Sequence, residues 1–532
     1  MGKRDDLDVR HAVGKARRIF WPAFALLALM ATLWALASPL YSVPDENAHV
    51  AKAVAQLRGE VIGENVPGEP FIVVDLPDGY EYNHSVMCYL FVPEESALCE
   101  AGVGDGSGED SFSTWVATYN PIYYYIVGWP SLIFDNAAVG VYAMRIMSAL
   151  LGAALLAWAF QAGVSARSNR WMPLGLAFVA TPMVLYFVGS VNPNGVEIAA
   201  AAALWISLLR LLERHREPAS SMDSLLSTRY LWTMVTVASI LLVNARAVGP
   251  LWLIAIVVTC CFAVGWRPTK ALFLRGSSYP WLGAIAAGSL FAGIWTLATG
   301  ALGGQAGESD APLVGASALT GIAAMLRRTG EWVQQAIGFF GWLDTPLPAE
   351  AYILIYVVLG VLVMLALAAT DRRSMLVMVG VIALALLLPA VVQGVQVSRT
   401  GLIWQGRYGI FLYLAIPIFA AWVLSGPAGD RLRFLSARMN WIGLGLLAGY
   451  GAFAYLWVMR RYVTGTGQPF GEMFSDAEWQ PPLGWVALVL AYTAVSIVFV
   501  AWAGRIAAHP IDAAPAIDAA PAPVELGSTP RG

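Results

Sequence analysis

Apolar runs of about 20 residues recur along the chain, and their spacing predicts the architecture. The first covers 20–41. Others follow at 137–163, 171–191, 194–212, 230–246, 249–265, 281–302, 351–370, 375–395, 407–425, 441–459 and 483–504. A helix rises about 1.5 Å per residue, so each run is long enough to cross, or nearly cross, a hydrocarbon core of about 30 Å. The pattern predicts an all-α polytopic membrane protein with about 12 transmembrane helices, within a range of roughly 11–13. Between the runs lie two long polar segments, 42–136 and 303–350. Inside the first, "NPIYYYIVGWPSLIF" (120–134) is too short to span; its Tyr, Trp and Pro content predicts a helix lying in the interface. "RRTGEWVQQAIGFFGWLDTPLP" (327–348), with Asp344, reads as an interfacial helix and turn that could roof a cavity.

Composition agrees with this pattern. Of 532 residues, 58% are hydrophobic and only 13% charged, which excludes a string of soluble domains. The net charge of −3 gives no reason to expect a nucleic-acid partner. No GK[ST] phosphate loop, HExxH or Cys/His cluster is present, so nucleotide hydrolysis and zinc proteolysis lack their usual local signatures.

Basic residues orient the chain. With the N-terminus cytoplasmic, the inner segments hold Arg167, Arg170, Arg214, Arg216, Arg229, Arg267, Lys270, Arg275, Arg372, Arg373, Arg431, Arg433 and Arg438. The segment after the first run holds only Lys52 and Arg58 in its early part and is rich in acids. This places 42–136 and 303–350 outside and both termini in the cytoplasm. Residues 1–19 form a cytoplasmic segment, 20–504 the membrane domain, and 505–532, with the repeat "IDAAPAIDAAPAP", a disordered cytoplasmic tail. "ALAS" at 35–38 resembles a signal-peptidase site, but the preceding run exceeds the roughly 7–15 residues of a signal core, so an uncleaved anchor is expected.

Candidate chemistry concentrates on the outer side. In "SVPDENAH" (42–49), Pro44 suits a first helical turn and Gly59 would end the helix. Asp45, His49, Lys52 and Gln56 then share one face of a short amphipathic helix near the headgroups. Two readings stand for the acids. They can cap the helix, since Ser42-x-x-Asp45 fits a capping pattern, or they can do chemistry. "WQGRY" puts Arg407 at a membrane mouth beside Gln405 and Tyr408; its planar fork suits a phosphate, and a headgroup anchor is the alternative. Arg246 sits at another mouth, in "NARAVGP", and Asn192 at a third, in "VNPNG". Arg145 and Glu197 lie at membrane depth, either as functional groups or as an ion pair with each other. Cys88 and Cys99 can form a disulfide in an oxidising compartment or remain thiols, while Cys260 and Cys261 read as small packing residues.

The acid pair after the first run resembles the GT-C superfamily of membrane glycosyltransferases, in which an acid of the first outer loop is catalytic and donors are polyprenyl-phosphate sugars. "SVPDENAH", "NPIYYY", "TPMVLYFVGSVNPNG", "GWLDTPLP" and "WQGRY" are more closely similar to a family of bacterial membrane proteins of unknown function placed near that superfamily. This resemblance covers roughly residues 20–425. It implies Asp45 as base with Glu46 beside it, and Arg407, Tyr408, Gln405, Arg246, His49, Asn192 and Asp344 around the substrate. It also implies a polyprenyl-phosphate donor, a cell-envelope glycan or lipid-linked acceptor, and a bacterial plasma-membrane location. Some relatives need a divalent cation, for which Asp45, Glu46 and Asp344 are the candidate ligands. Two alternatives remain: a flippase for lipid-linked sugars, which would favour internal repeats and broken helices near the midplane, and a non-catalytic scaffold for envelope assembly.

Overall fold

The computed structural model describes residues 14, 16, 18–80, 87–99, 108–166, 169–215, 226–301, 311–369 and 371–509. Most of the N-terminal segment and of the C-terminal tail lie outside these residues, as do Arg167 and Arg216.

The protein is an all-α polytopic membrane protein. Its principal helices are α1 (Phe20–Ala37), α2 (Glu46–Leu57), α3 (Pro121–Val127), α4 (Ala137–Val164), α5 (Met172–Ala177), α6 (Pro182–Val188) and α7 (Pro193–Glu213). They continue with α8 (Thr228–Ala245), α9 (Gly249–Val264), α10 (Trp266–Phe273), α11 (Tyr279–Ala298), α12 (Ala318–Arg327) and α13 (Thr329–Gly338). The last five are α14 (Ala349–Ala368), α15 (Arg372–Thr400), α16 (Ala415–Leu424), α17 (Arg433–Val463) and α18 (Trp485–Ala508).

All twelve apolar runs are helical, but among the described residues only nine helical segments are long and apolar enough to cross a membrane. The three that fall short have visible causes. The run at 171–191 breaks between α5 and α6, where extended Thr181 precedes Pro182. The α9 helix has 16 residues, and α8 carries polar side chains, of which Thr236, Ser239 and Asn244 are buried against neighbours.

The centre of the molecule is α7, every residue of which is buried, packed between α4 and α8. Between Glu197 and Ser207 it is apolar on all sides, as expected of a helix surrounded by others, and its buried Arg210 is paired with Glu213 at 2.8 Å. By contrast α11 has only Ala292 buried and lies at the periphery.

Two small antiparallel ribbons were not legible as strands. β1 (Ile72–Pro77) pairs with β2 (Glu109–Thr114) over α2, and β3 (Phe339–Phe340) pairs with β4 (Thr345–Pro346) after α13. Cys88 and Cys99 are joined as a disulfide, with Cα atoms 6.1 Å apart.

Candidate functional site

The α2 helix begins at Glu46, not at Pro44, and Asp45 precedes it in the left-handed region with φ +66°. That conformation is costly for most side chains; Asp and Asn are among those that visit it. It turns the Asp45 carboxylate away from the helix: the side chain makes no capping bond and instead pairs with Arg407. The capping reading of Ser42 and Asp45 is therefore overturned.

Arg407 is held in a 3₁₀ turn, Gly406–Gly409, ahead of α16. Gln335 of α13 accepts the Gly406 N–H at 2.7 Å. A Cβ on Gly406 would lie 2.3 Å from the Trp332 carbonyl, so only glycine allows this approach. The Arg407 guanidinium is 2% exposed. It reaches Asp45, the Pro44 carbonyl (3.1 Å) and the Tyr408 hydroxyl (3.0 Å). The Asp45 side chain keeps 26% exposure, facing a cavity of about 670 Å³.

That cavity lies at one end of the bundle. Asp45, Arg407, Tyr408 and Tyr119 form its polar part, and Phe71, Phe91, Trp115, Trp332, Trp342 and Trp404 give it aromatic walls. Arg328 and Glu331, paired at 2.6 Å, stand at its more exposed edge. Several lining atoms lack a hydrogen-bond partner: Nε of Arg407, Oε1 of Gln405 and Nε1 of Trp404. Burial pushes the Asp45 carboxyl up, but the Arg407 guanidinium, helped by that of Arg246, outweighs it and leaves it below its ordinary value, hence ionised at neutral pH.

The remaining expected residues divide by position. His49 is buried, its Nδ1 at 2.8 Å from the Tyr124 hydroxyl and its ring edge-on to Tyr119. Burial pushes its pKa down to about 3, so the imidazole is neutral. Lys52 donates to the Val61 carbonyl and Gln56 to that of Pro121 at 2.9 Å. The polar face of α2 is thus turned inward, whereas a surface helix among headgroups had been expected. Asn192 grips the Pro44 carbonyl at 2.9 Å and does not line the cavity. Arg246 stacks on the Tyr408 ring at 4.2 Å and bonds Asn194 at 3.0 Å, so it supports the polar floor from behind.

Glu46 is not at the cavity. Its carboxylate is fully buried, bound by Arg145 at 2.8 and 2.5 Å and by the Val191 N–H at 3.0 Å. Arg145 therefore does not pair with Glu197, which sits beside Arg246 and Trp252 instead. Asp344 lies in the turn between β3 and β4, accepting from the Phe91 N–H (3.2 Å) and Thr345 (2.8 Å), with Arg461 at 3.5 Å. Asp45, Glu46 and Asp344 do not converge: among the described residues no three His, Cys, Asp or Glu side chains are grouped to hold a metal ion.

A family model described as a predicted membrane protein (DUF2142) matches residues 27–416. The chain belongs to the DUF2142 family. The match runs from within α1 past the 3₁₀ turn of Arg407, and hence contains Asp45 and all the residues of this cavity. No curated protein matches this DUF2142 member. Of its cavity residues, sequence reading missed Phe71, Phe91, Trp115 and Tyr119, whereas Trp332, Gln335 and Trp342 belong to the segment 327–348 read as a cavity roof and Trp404 opens "WQGRY". The available signal was the density of Trp and Tyr in the polar segments, which marks interfaces as readily as binding sites.

Proposed function

We propose that this protein is a membrane glycosyltransferase that moves a sugar from a polyprenyl-phosphate donor to a glycan or lipid-linked acceptor on the extracytoplasmic face of the bacterial plasma membrane. The observation that carries this reading is the Asp45–Arg407 pair at the floor of an aromatic-walled cavity. Sugar rings stack on aromatic faces, and arginine is suited to phosphate.

In this mechanism an acceptor hydroxyl attacks the anomeric carbon as the bond from that carbon to the phosphate oxygen breaks. Asp45 takes the hydroxyl proton, and the electron pair leaves with the polyprenyl phosphate. A phosphate leaves without being protonated, so a second carboxylate is not required. Arg407 stabilises the charge that develops on it. An arriving phosphate also draws on the guanidinium that holds Asp45 below its ordinary pKa, which raises the carboxylate's affinity for a proton as the donor binds.

The test uses purified protein in nanodiscs with a panel of polyprenyl-phosphate sugars. Donor retained by both wild type and Asp45→Asn, but consumed by wild type alone, supports the proposal. Donor bound and translocated across liposomes, yet never consumed with any acceptor, replaces the enzyme by a flippase. No donor binding at all removes the phosphate role of Arg407 and favours a scaffold.

A further inference from the structure

A second cavity, of about 610 Å³, lies at the opposite end of the bundle from Asp45. The α15 helix connects the two levels. Its last residue, Thr400, is close in sequence to Arg407, whereas its first, Arg372, lines the second cavity. Twenty-nine helical residues separate these ends by roughly 40 Å.

This cavity has a divided chemistry. Phe262 at the end of α9, Trp266 at the start of α10 and Leu376 of α15 make it apolar, and Arg372 and Arg373 stand at its mouth. Phe262 is 58% exposed, Trp266 75% and Leu376 50%. The exposed strip continues away from the arginines along α9 through Val258 and Ile254, and along α15 through Val379.

Neither arginine is paired with a carboxylate among the described residues. Arg373 lies beside the last carbonyls of α9, at 3.4 Å from Ala263 and 3.5 Å from Phe262. Gly265, whose φ of +111° favours glycine, leaves open the space that the Arg373 guanidinium occupies. Arg267, Lys270 and Arg275 add positive charge on and just after α10. The nearest acid in sequence, Asp371, caps α15 by accepting the Ser374 N–H at 2.8 Å.

From this we infer that the groove between α9 and α15 binds one anionic glycerophospholipid, with its phosphate on Arg372 and Arg373 and its acyl chains along Phe262, Val258, Leu376 and Val379. A free phosphate would leave the apolar strip unused, and a neutral lipid would leave the arginines without a counter-charge. A basic head region joined to an apolar track matches a ligand with an anionic head and a hydrocarbon tail. The site is independent of the sugar-transfer reading.

The test is native mass spectrometry of the full chain released from nanodiscs containing equal phosphatidylglycerol and phosphatidylcholine. The wild type is expected to keep one phosphatidylglycerol in preference to phosphatidylcholine. The Arg372→Gln/Arg373→Gln variant should lose that retention about tenfold, whereas Arg399→Gln, at the far end of α15, should keep it. Because Arg373 touches α9, the single variant Arg372→Gln serves if the double variant does not fold; about a threefold loss is expected. Equal retention in wild type and the Arg372 variant overturns the site, and so does an equal loss in Arg399→Gln. Displacement by excess inorganic phosphate would make it a phosphate site and overturn the lipid assignment.

Discussion

Arg145 and Glu46 form a bidentate ion pair with no solvent exposure on either side chain, joining the middle of the molecule to the first residue of α2. The same guanidinium donates to the carbonyls of Ala35, Ser38 and Pro39, at 2.9, 2.6 and 2.7 Å, and so satisfies the end of α1. Asp45 is the next residue back along the chain, and its placement depends on this anchor.

Removing one partner leaves a buried charge uncompensated, which typically costs about 3–5 kcal/mol. Glu46→Ala and Arg145→Ala are each expected to lower the thermal midpoint sharply in detergent. An Arg145→Leu/Glu46→Leu double variant should recover little, because the three carbonyls still lose their donor. A double variant as stable as wild type would show that the backbone contacts of Arg145 contribute nothing.

At Asp45 the expected result is separation of activity from folding. Asp45→Asn keeps the size of the side chain and an acceptor for Arg407 but removes the counter-charge of a buried guanidinium, so the variant should fold with a lowered thermal midpoint and still bind donor. Under the proposed chemistry the same change slows sugar transfer by about 10²–10⁴, the usual range for loss of a general base. Single-turnover donor consumption at saturating acceptor is the measurement.

His49 predicts a pH dependence of stability. Its pKa falls from an ordinary 6.5 to about 3 in the folded protein, through burial. Between those values the unfolded chain binds a proton that the folded one does not, so stability declines as pH falls through that window. His49→Gln should flatten the decline in thermal midpoint between about pH 6.5 and 5. The Asp45 carboxyl acts lower: its contribution is full above its ordinary 3.8 and is lost as pH drops through the lowered folded value. A slope unchanged by His49→Gln would mean that the imidazole is not buried neutral.

The disulfide should contribute to stability without taking part in any chemistry. Cys88 and Cys99 close a short loop whose backbone carbonyls Tyr89, Val92 and Glu95 accept from Arg461, and which carries Phe91 into the cavity wall. Cys88→Ser/Cys99→Ser should lower stability by about 2–4 kcal/mol, as the loss of such a loop closure usually does. A reductant titration followed by thermal unfolding gives the same quantity on the native chain.

What the sequence determined by itself is the membrane character and the helical positions. Hydrophobic length is a local property, so each apolar run reads as a helix wherever its neighbours lie. The placement of Asp45 and Arg407 at helix mouths was legible for the same reason. Partner choice was not. Glu46 and Asp45 are adjacent and chemically alike, yet one faces Arg145 in the interior and the other faces Arg407 at the cavity. Only the left-handed backbone at Asp45 and the packing of α2 beneath its surrounding loops separate them. Likewise the polar face of α2 reads as a water-facing surface until α3 and the β1–β2 ribbon cover it, with α3 bonding His49 and Gln56 and the Val61 carbonyl accepting from Lys52. Burial of a polar side chain is decided largely by partners distant in sequence, as Arg407 is from Asp45 at a separation of 362 positions, and so it belongs to the tertiary structure.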